Sequence, residues 1–441
     1  MQRTRPLGRK AWRRIAAALG FLACLVGPIE VAGACTLPAD TTNRLGRMQV
    51  FDYAMSDASA LINRDMTWAS DNGLGPPSPT LPQGVWSSAY TTFAVDYHPG
   101  NSLSWWQANH PGCIVYQSDH KTIAYMFGGP PDAPSVPFAF WKSECQQVEL
   151  AYILSEVRYG YNSISLDNLD AVNTWGYYGT CSVALSAGTT CEGGGGTFTQ
   201  RFTGGAGDPQ YVADVASWVQ TVRVAIEGVN PNTCLMGNLG FSAQHASDVV
   251  TIAKQLDVWF NEDGWWFACG PWDTQDNYWQ ILFAVLATLS IPGYVDNNYM
   301  TDIAGGGGGN CHSAPSQPGA EALEFVIASD MLIKGNHTYL ALSAYHVAQY
   351  EDYGLSPWWY LNHGPAQGPY SVSGGIYSRQ FANALVLVNP PGGAVATYNL
   401  GSTVYWRMNG LRMTGTITMQ PGTGLVLMTS PPAANGSVAV H

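Results

Sequence analysis

Charge is scarce in this chain. Only 11% of its 441 residues are Asp, Glu, Lys or Arg, against a usual ~25%. The surface must therefore be built from Ser, Thr, Asn, Gln and Gly. Several signatures are missing, and each absence removes a class of chemistry. There is no C-x-x-C and no Cys/His ligand spacing, so zinc has no support and no metal is expected. There is no H-E-x-x-H, which argues against a metalloprotease or a metal-dependent deacetylase. Neither G-x-G-x-x-G nor a P-loop occurs, so nucleotide binding has no basis. Ser242, in Gly240-Phe241-Ser242-Ala243, lacks the second glycine of a nucleophile elbow. No segment beyond the N-terminal region reads as a transmembrane helix.

The first residues read as an export signal. Arg3, Arg5, Arg9, Lys10, Arg13 and Arg14 form a basic region, residues 15–26 an apolar core, and Ala32-Gly33-Ala34 an A-x-A cleavage site. The expected location is secreted or periplasmic, with a lipid anchor on Cys35 as the alternative. Cleavage after residue 34 leaves 13 basic against 30 acidic residues, a net charge of −17. That balance excludes a basic patch for nucleic acid or anionic membranes. It is compatible with a neutral or cationic substrate. Eight cysteines remain: Cys35, Cys113, Cys145, Cys181, Cys191, Cys234, Cys269 and Cys311. An even number in an exported chain points to disulfides. The expected pairs are Cys181 with Cys191, which closes a short loop, and Cys269 with Cys311.

Strand-like runs alternate with helical ones. Strands are expected over 65–69, 91–97, 113–118, 163–167, 233–239, 256–261, 293–296 and 338–343. The clearest helices are expected over 146–159, 210–228, 273–289 and 319–334. Eight such units predict an α/β fold, a (β/α)8 TIM barrel over residues 35–363. After about Gly364 the helical pattern stops. Segments 382–388, 403–408, 416–419 and 424–429 predict a small C-terminal all-β, sandwich-like domain over 364–430, with a disordered tail from 431. The glycine runs 193–196 and 305–309 read as filler between elements, with a moving lid as the alternative.

Two stretches carry the chemistry. In Ser163–Asp170, read SISLDNLD, Ile164 and Leu166 alternate with Ser163, Ser165 and Asp167. A period of two makes a strand with one oily and one polar face, and it puts Asp167 at the C-terminal tip. In a barrel that end is the active-site face. In Leu256–Trp266, read LDVWFNEDGWW, an apolar strand runs into Glu262 and Asp263. Beside aromatic rings a carboxyl loses hydration and its pKa rises toward that of a general acid. Two acids on two strand tips are the minimum for cleaving a glycosidic bond, so Asp167 and Glu262 are the candidate catalytic pair. Asp170 and Asp263 stay open as alternatives for the two positions. Asn238, ending the intervening strand, is a candidate for hydrogen-bonding a sugar hydroxyl. Asp119 and Asp296 are further candidates on substrate, as is Asp170. Among 16 tryptophans, Trp265 and Trp266 are the best placed to stack on a sugar, because they follow Glu262. Ordinary packing is the competing explanation for any one ring.

The run Tyr161–Asn168 and Glu262 resemble the paired motifs of the polygalactosaminidase-like glycoside hydrolases and of related uncharacterised glycoside-hydrolase-like barrel families. Asn162 stands where those relatives commonly carry Asp. Trp105–Tyr125, with Ala108-Asn109-His110-Pro111, and Arg379–Pro390 are also similar to these families. The resemblance implies a barrel, two catalytic acids and cleavage of an α-linked polysaccharide without a cofactor. By analogy with the α-galactosidase clan, Asp167 would be the nucleophile and Glu262 the general acid/base of a retaining mechanism. The expected partner is a polysaccharide or oligosaccharide. The alternatives are a carbohydrate-binding barrel without catalysis, or an envelope or adhesion protein.

Overall fold

The computed structural model describes most of residues 35–431; residues 1–34, 39–40, 50–63, 69–74, 78–80, 82–83, 97, 99, 127–134, 263, 268–269, 272–276, 303–319, 346–360, 408 and 432–441 lie outside the description. The expected export signal, Asp263, the Cys269–Cys311 pair and the second glycine run fall there. Among the described residues no helix is long and apolar enough to cross a membrane.

The chain is a mixed α/β protein with a parallel sheet and a separate C-terminal antiparallel sheet. The parallel strands are β1 (Gly46–Gln49), β2 (Met66–Thr67), β3 (Ser88–Thr92), β4 (Ser163–Leu169), β5 (Cys234–Leu239), β6 (Val258–Asn261), β7 (Gly293–Asp302) and β8 (Thr338–Tyr345). They pair in the order β2-β1-β8-β7-β6-β5-β4-β3. A further parallel bridge joins Met66 to Trp86, two residues ahead of β3.

Helices α1 (Leu103–Asn109), α2 (Ser143–Tyr159), α3 (Pro209–Val229), α4 (Ala246–Ala253), α5 (Tyr278–Thr288) and α6 (Ala320–Ile333) fill the connections. Local chemistry sets their ends. Asp208 accepts from Gln210 N ahead of Pro209, a side-chain cap followed by a residue whose missing N–H costs nothing there. Gly160 ends α2 with φ 94°, a conformation cheap only for glycine.

Both faces of the parallel sheet are buried, and they belong to different cores. Ile164, Leu166, Leu235, Leu239 and Trp259 pack with helix residues such as Ile153, Val215 and Val249. Met66, Trp68, Trp86, Met236, Val258, Phe260, Val295, Tyr339 and Ala341 cluster on the face turned away from the helices. There Trp68 stacks on Phe260 at 4.5 Å between ring centroids. Four steps of the pairing order separate β2 from β6, roughly 19 Å in a flat sheet. The sheet must curve strongly to bring those rings together.

The disulfides are Cys35–Cys234, Cys113–Cys145 and Cys181–Cys191. The last is the short-loop pair expected from the sequence; the other two had no signal in spacing. Cys35 joins Cys234 under the apolar cluster, so its sulfur is not free to carry a lipid. The glycine run 193–196 packs on the Cys181–Cys191 bridge: a Cβ on Gly196 would lie 2.7 Å from one sulfur and 2.9 Å from the other.

The C-terminal region has a six-stranded antiparallel sheet and a two-stranded one, Ala396–Asn399 with Thr416–Met419. They share a core of Ile376, Leu385, Leu387, Ile417, Met419 and Leu427. The larger sheet rests on α6, where Glu324 pairs with Arg407 and accepts from Val426 N. Arg379 donates to the carbonyls of Met331, Leu332 and Lys334, the open C-terminal end of α6.

Two strand assignments need correction. β1 carries no clear pattern in the sequence. Residues 113–118 contribute only Val115–Tyr116, antiparallel to Gly179–Cys181 and outside the parallel sheet. The expected strand at 91–97 sits earlier, at Ser88–Thr92. The missed strand and the surplus one cancel, so Asp167 still lies on the fourth parallel strand.

Candidate functional site

Alternation along three neighbouring strands sends one side chain each to the same place. On β4, Ser163, Ser165 and Asp167 face away from the helices. Ser165 hydrogen-bonds Ser88 of β3 there. On β5 the same face carries Cys234, Met236 and then Asn238. On β6 it carries Val258 and Phe260, and Glu262 continues the register. Asn238 Nδ2 donates to Asp167 Oδ1 at 2.8 Å and to Glu262 Oε2 at 2.6 Å. One amide nitrogen thus spans both acids. Their bound oxygens lie at most about 5.4 Å apart, the two bonds laid end to end. Asp167 and Asn238 are buried; Glu262 is partly exposed.

Tyr90, on β3, donates its hydroxyl to Asp167 Oδ2 at 2.7 Å. Asp167 thereby accepts on both oxygens. Burial raises its pKa above the ordinary aspartate value, and the bonds from Tyr90, Asn238 and the Asn168 N–H oppose that rise. The stacked rings of Trp68 and Phe260 lie one strand repeat below Glu262.

The strand tip is irregular. Asn168 has φ 60°, a left-handed conformation uncommon outside glycine. The β4–β5 register shifts at this level, and Leu169 returns to the helix-side core. The bulge ends the alternation after Asp167, as bulges near sites do. Gly237, opposite, has no room for a side chain: a Cβ would lie 2.6 Å from both Leu169 and Leu256.

The structure does not bring the other candidates to the acids. Asp119 is exposed and organises its own turn, accepting from Lys121 N, Thr122 N and Thr122 Oγ1. Asp170 accepts from Val172 N and Thr174 Oγ1 in the loop after β4; burial raises its pKa. Asp296 has the wrong parity. Val295 joins the inner cluster, so Asp296 turns to the helix side, where it accepts from Tyr294 and Asn298. Burial there, and Asp330 on α6, push its pKa well up. Trp265 is buried on Trp279 and Trp266 packs toward Phe325, so both rings join the helix-side core. Asn162, the departure from the resembled motif, accepts from Ser87 N and Oγ at the opposite end of β4. An aspartate could accept both bonds equally, and the change leaves the acid pair untouched.

Tyr90 lies outside the expected strand, which starts three residues later than the observed Ser88–Thr92. Its signal was the alternation of Ser88, Tyr90 and Thr92. Among the described residues one trio of metal-ligand type lies close together, Cys35, Cys234 and Asp257. Its two sulfurs are joined in a disulfide, and the thiolate is the form that binds metal.

No protein-family model matches the sequence, and no curated protein matches it. Solved structures do. One is a GH27 β-L-arabinopyranosidase from Geobacillus stearothermophilus in complex with arabinose, 10% identical, with TM-score 0.45 over 91% of this chain and 98% of that one. Another is an acarbose-soaked debranching enzyme from Nostoc punctiforme, 11% identical, TM-score 0.44, covering 89% and 99%. A third is Ega3 of Aspergillus fumigatus in complex with galactosamine, 14% identical, TM-score 0.33, covering 60% and 80%.

Proposed function

We propose that the protein is an exported glycoside hydrolase acting on an α-linked glycan with retention of configuration. In this reading the curved parallel sheet closes as a (β/α)8 barrel over residues 35–363, and residues 364–430 form the C-terminal β domain. The Met66–Trp86 bridge and the Trp68–Phe260 stack support closure. The observation that carries the functional reading is the single amide of Asn238 bonded to both acids. Carboxyl groups ~5–5.5 Å apart suit a covalent glycosyl intermediate, whereas inversion needs ~6.5–9.5 Å to admit a water between them.

Asp167 attacks the anomeric carbon as Glu262 protonates the departing oxygen. Glu262 then takes a proton from water, which releases the sugar and restores Asp167. Partial exposure lets Glu262 exchange protons with solvent. Asp167, fixed on both oxygens, is held for in-line attack. No step calls on a cofactor.

The test is a screen of neutral and amino-sugar α-glycans for reducing-end release by the wild-type protein. Release from one class supports the proposal. Binding of a glycan with no release from any member of the panel favours a lectin-like barrel.

The protonation state of Asp167 gives a pH prediction. As nucleophile it must be ionised, so kcat/KM rises with pH through its elevated pKa. Tyr90 donates to the charged form and lowers that pKa. Tyr90→Phe is therefore expected to move the acidic limb of the pH profile to higher pH, with the alkaline limb unmoved. An unchanged acidic limb would mean that Asp167 does not set it.

A further inference from the structure

The geometry points to Asn298 as a positioning residue for Glu262, acting from behind the strand and without touching substrate. This inference rests on the reading of Glu262 as the acid/base. Side chains of β7 hold the backbone on both sides of Asp263, at Glu262 and at Trp265 and Trp266. Asn298 Oδ1 accepts from two successive backbone groups, Trp265 N at 2.7 Å and Trp266 N at 2.9 Å. The adjacent Asn297 Nδ2 donates to the carbonyl of Glu262 at 3.2 Å. The backbones approach so closely at Gly264 that a Cβ would lie 2.4 Å from the Asn297 carbonyl and 2.6 Å from Asn298 Oδ1.

The clamp has a fixed sense. An amide could present either its oxygen or its nitrogen, and its partners decide which. Asn298 Nδ2 donates to Asp296 Oδ2 at 2.6 Å, and Asp296 Oδ1 accepts from Tyr294 at 3.2 Å. The two backbone N–H groups can only donate, so they take the amide oxygen and leave its nitrogen for Asp296. This gives Asp296 a role that its helix-side position otherwise lacks. Asn298→Ala leaves the buried Trp265 N–H and the partly buried Trp266 N–H without that acceptor, an arrangement proteins avoid. The backbone there must then relax, and Glu262 moves with it. A displacement of ~1 Å costs on the order of 10²-fold in rate.

The deciding experiment follows the Glu262 carboxyl by 13C NMR in protein labelled at glutamate, with Glu262→Gln assigning the signal. In Asn298→Ala the titration midpoint is expected to move by roughly half a unit or more, on the scale by which local environment commonly shifts carboxyl pKa values. With a glycan found by the screen, kcat should fall about 10- to 100-fold while KM changes little. A lowered melting temperature with the Glu262 titration and kcat at wild-type values would overturn the inference. If Asn298→Ala does not fold, Asp296→Leu removes the acceptor that holds Asn298 Nδ2 at similar size. The same shift is expected there, and its absence would again overturn the inference. The titration needs no substrate. A chain that cleaves no glycan but shows the shift refutes the glycosidase reading alone.

Discussion

Asp167→Asn is expected to lower turnover by about 10⁴-fold or more, some 5 kcal/mol of transition-state stabilisation. The neutral amide keeps the size of the side chain. It cannot form the glycosyl ester through which a retaining enzyme works. The protein should still fold and bind its glycan, because the bonds to Tyr90 and Asn238 can be partly replaced. Glu262→Gln should fall by about 10²- to 10⁴-fold, the usual contribution of a positioned acid or base. The loss should be smaller for substrates with good leaving groups, which need less protonation. Reducing-end assays on both variants, with glycan binding measured in parallel, check this. Wild-type rates from Asp167→Asn would remove the nucleophile from the mechanism.

Removal of the Cys35–Cys234 disulfide is expected to cost about 5 kcal/mol, from the loop-closure entropy of a link spanning 199 residues. That figure is large beside the ~5–15 kcal/mol by which domains are usually stable. The bridge ties the start of the described chain to the first residue of β5, beneath the inner apolar cluster. Losing it frees the segment leading into β1. Cys181→Ser with Cys191→Ser opens a far shorter loop, of separation 10, and should cost less by the same argument. Denaturant unfolding of the two double variants measures the difference. Equal losses would mean that the long link does not restrain the unfolded chain.

The placement of Asp167 and Glu262 side by side was legible because its evidence is local. Each strand keeps a period of two up to its tip, so Asp167, Asn238 and Glu262 could be assigned to one end of the sheet from alternation alone. The face was harder. Both faces of a parallel sheet are buried, and apolar residues such as Val295 and Leu235 occupy opposite sides of this one. Hydrophobicity could not say that Asp296 points toward α6. Trp265 and Trp266 failed for a different reason. Their backbone N–H groups are held by Asn298, some thirty residues later in the chain, and no pattern near Glu262 records it. β1 was invisible because its four residues, Gly46–Gln49, carry no alternation to read. The long-range disulfides were equally hidden, since spacing alone does not fix connectivity.

The central claim is that two carboxyl groups held by one amide cleave an α-glycosidic bond with retention. Proton NMR of the first sugar released, recorded before the anomers equilibrate, tests it most directly. The account predicts that the α-anomer appears first. Initial release of the β-anomer would contradict it, because inversion makes water, not Asp167, the group that attacks the anomeric carbon.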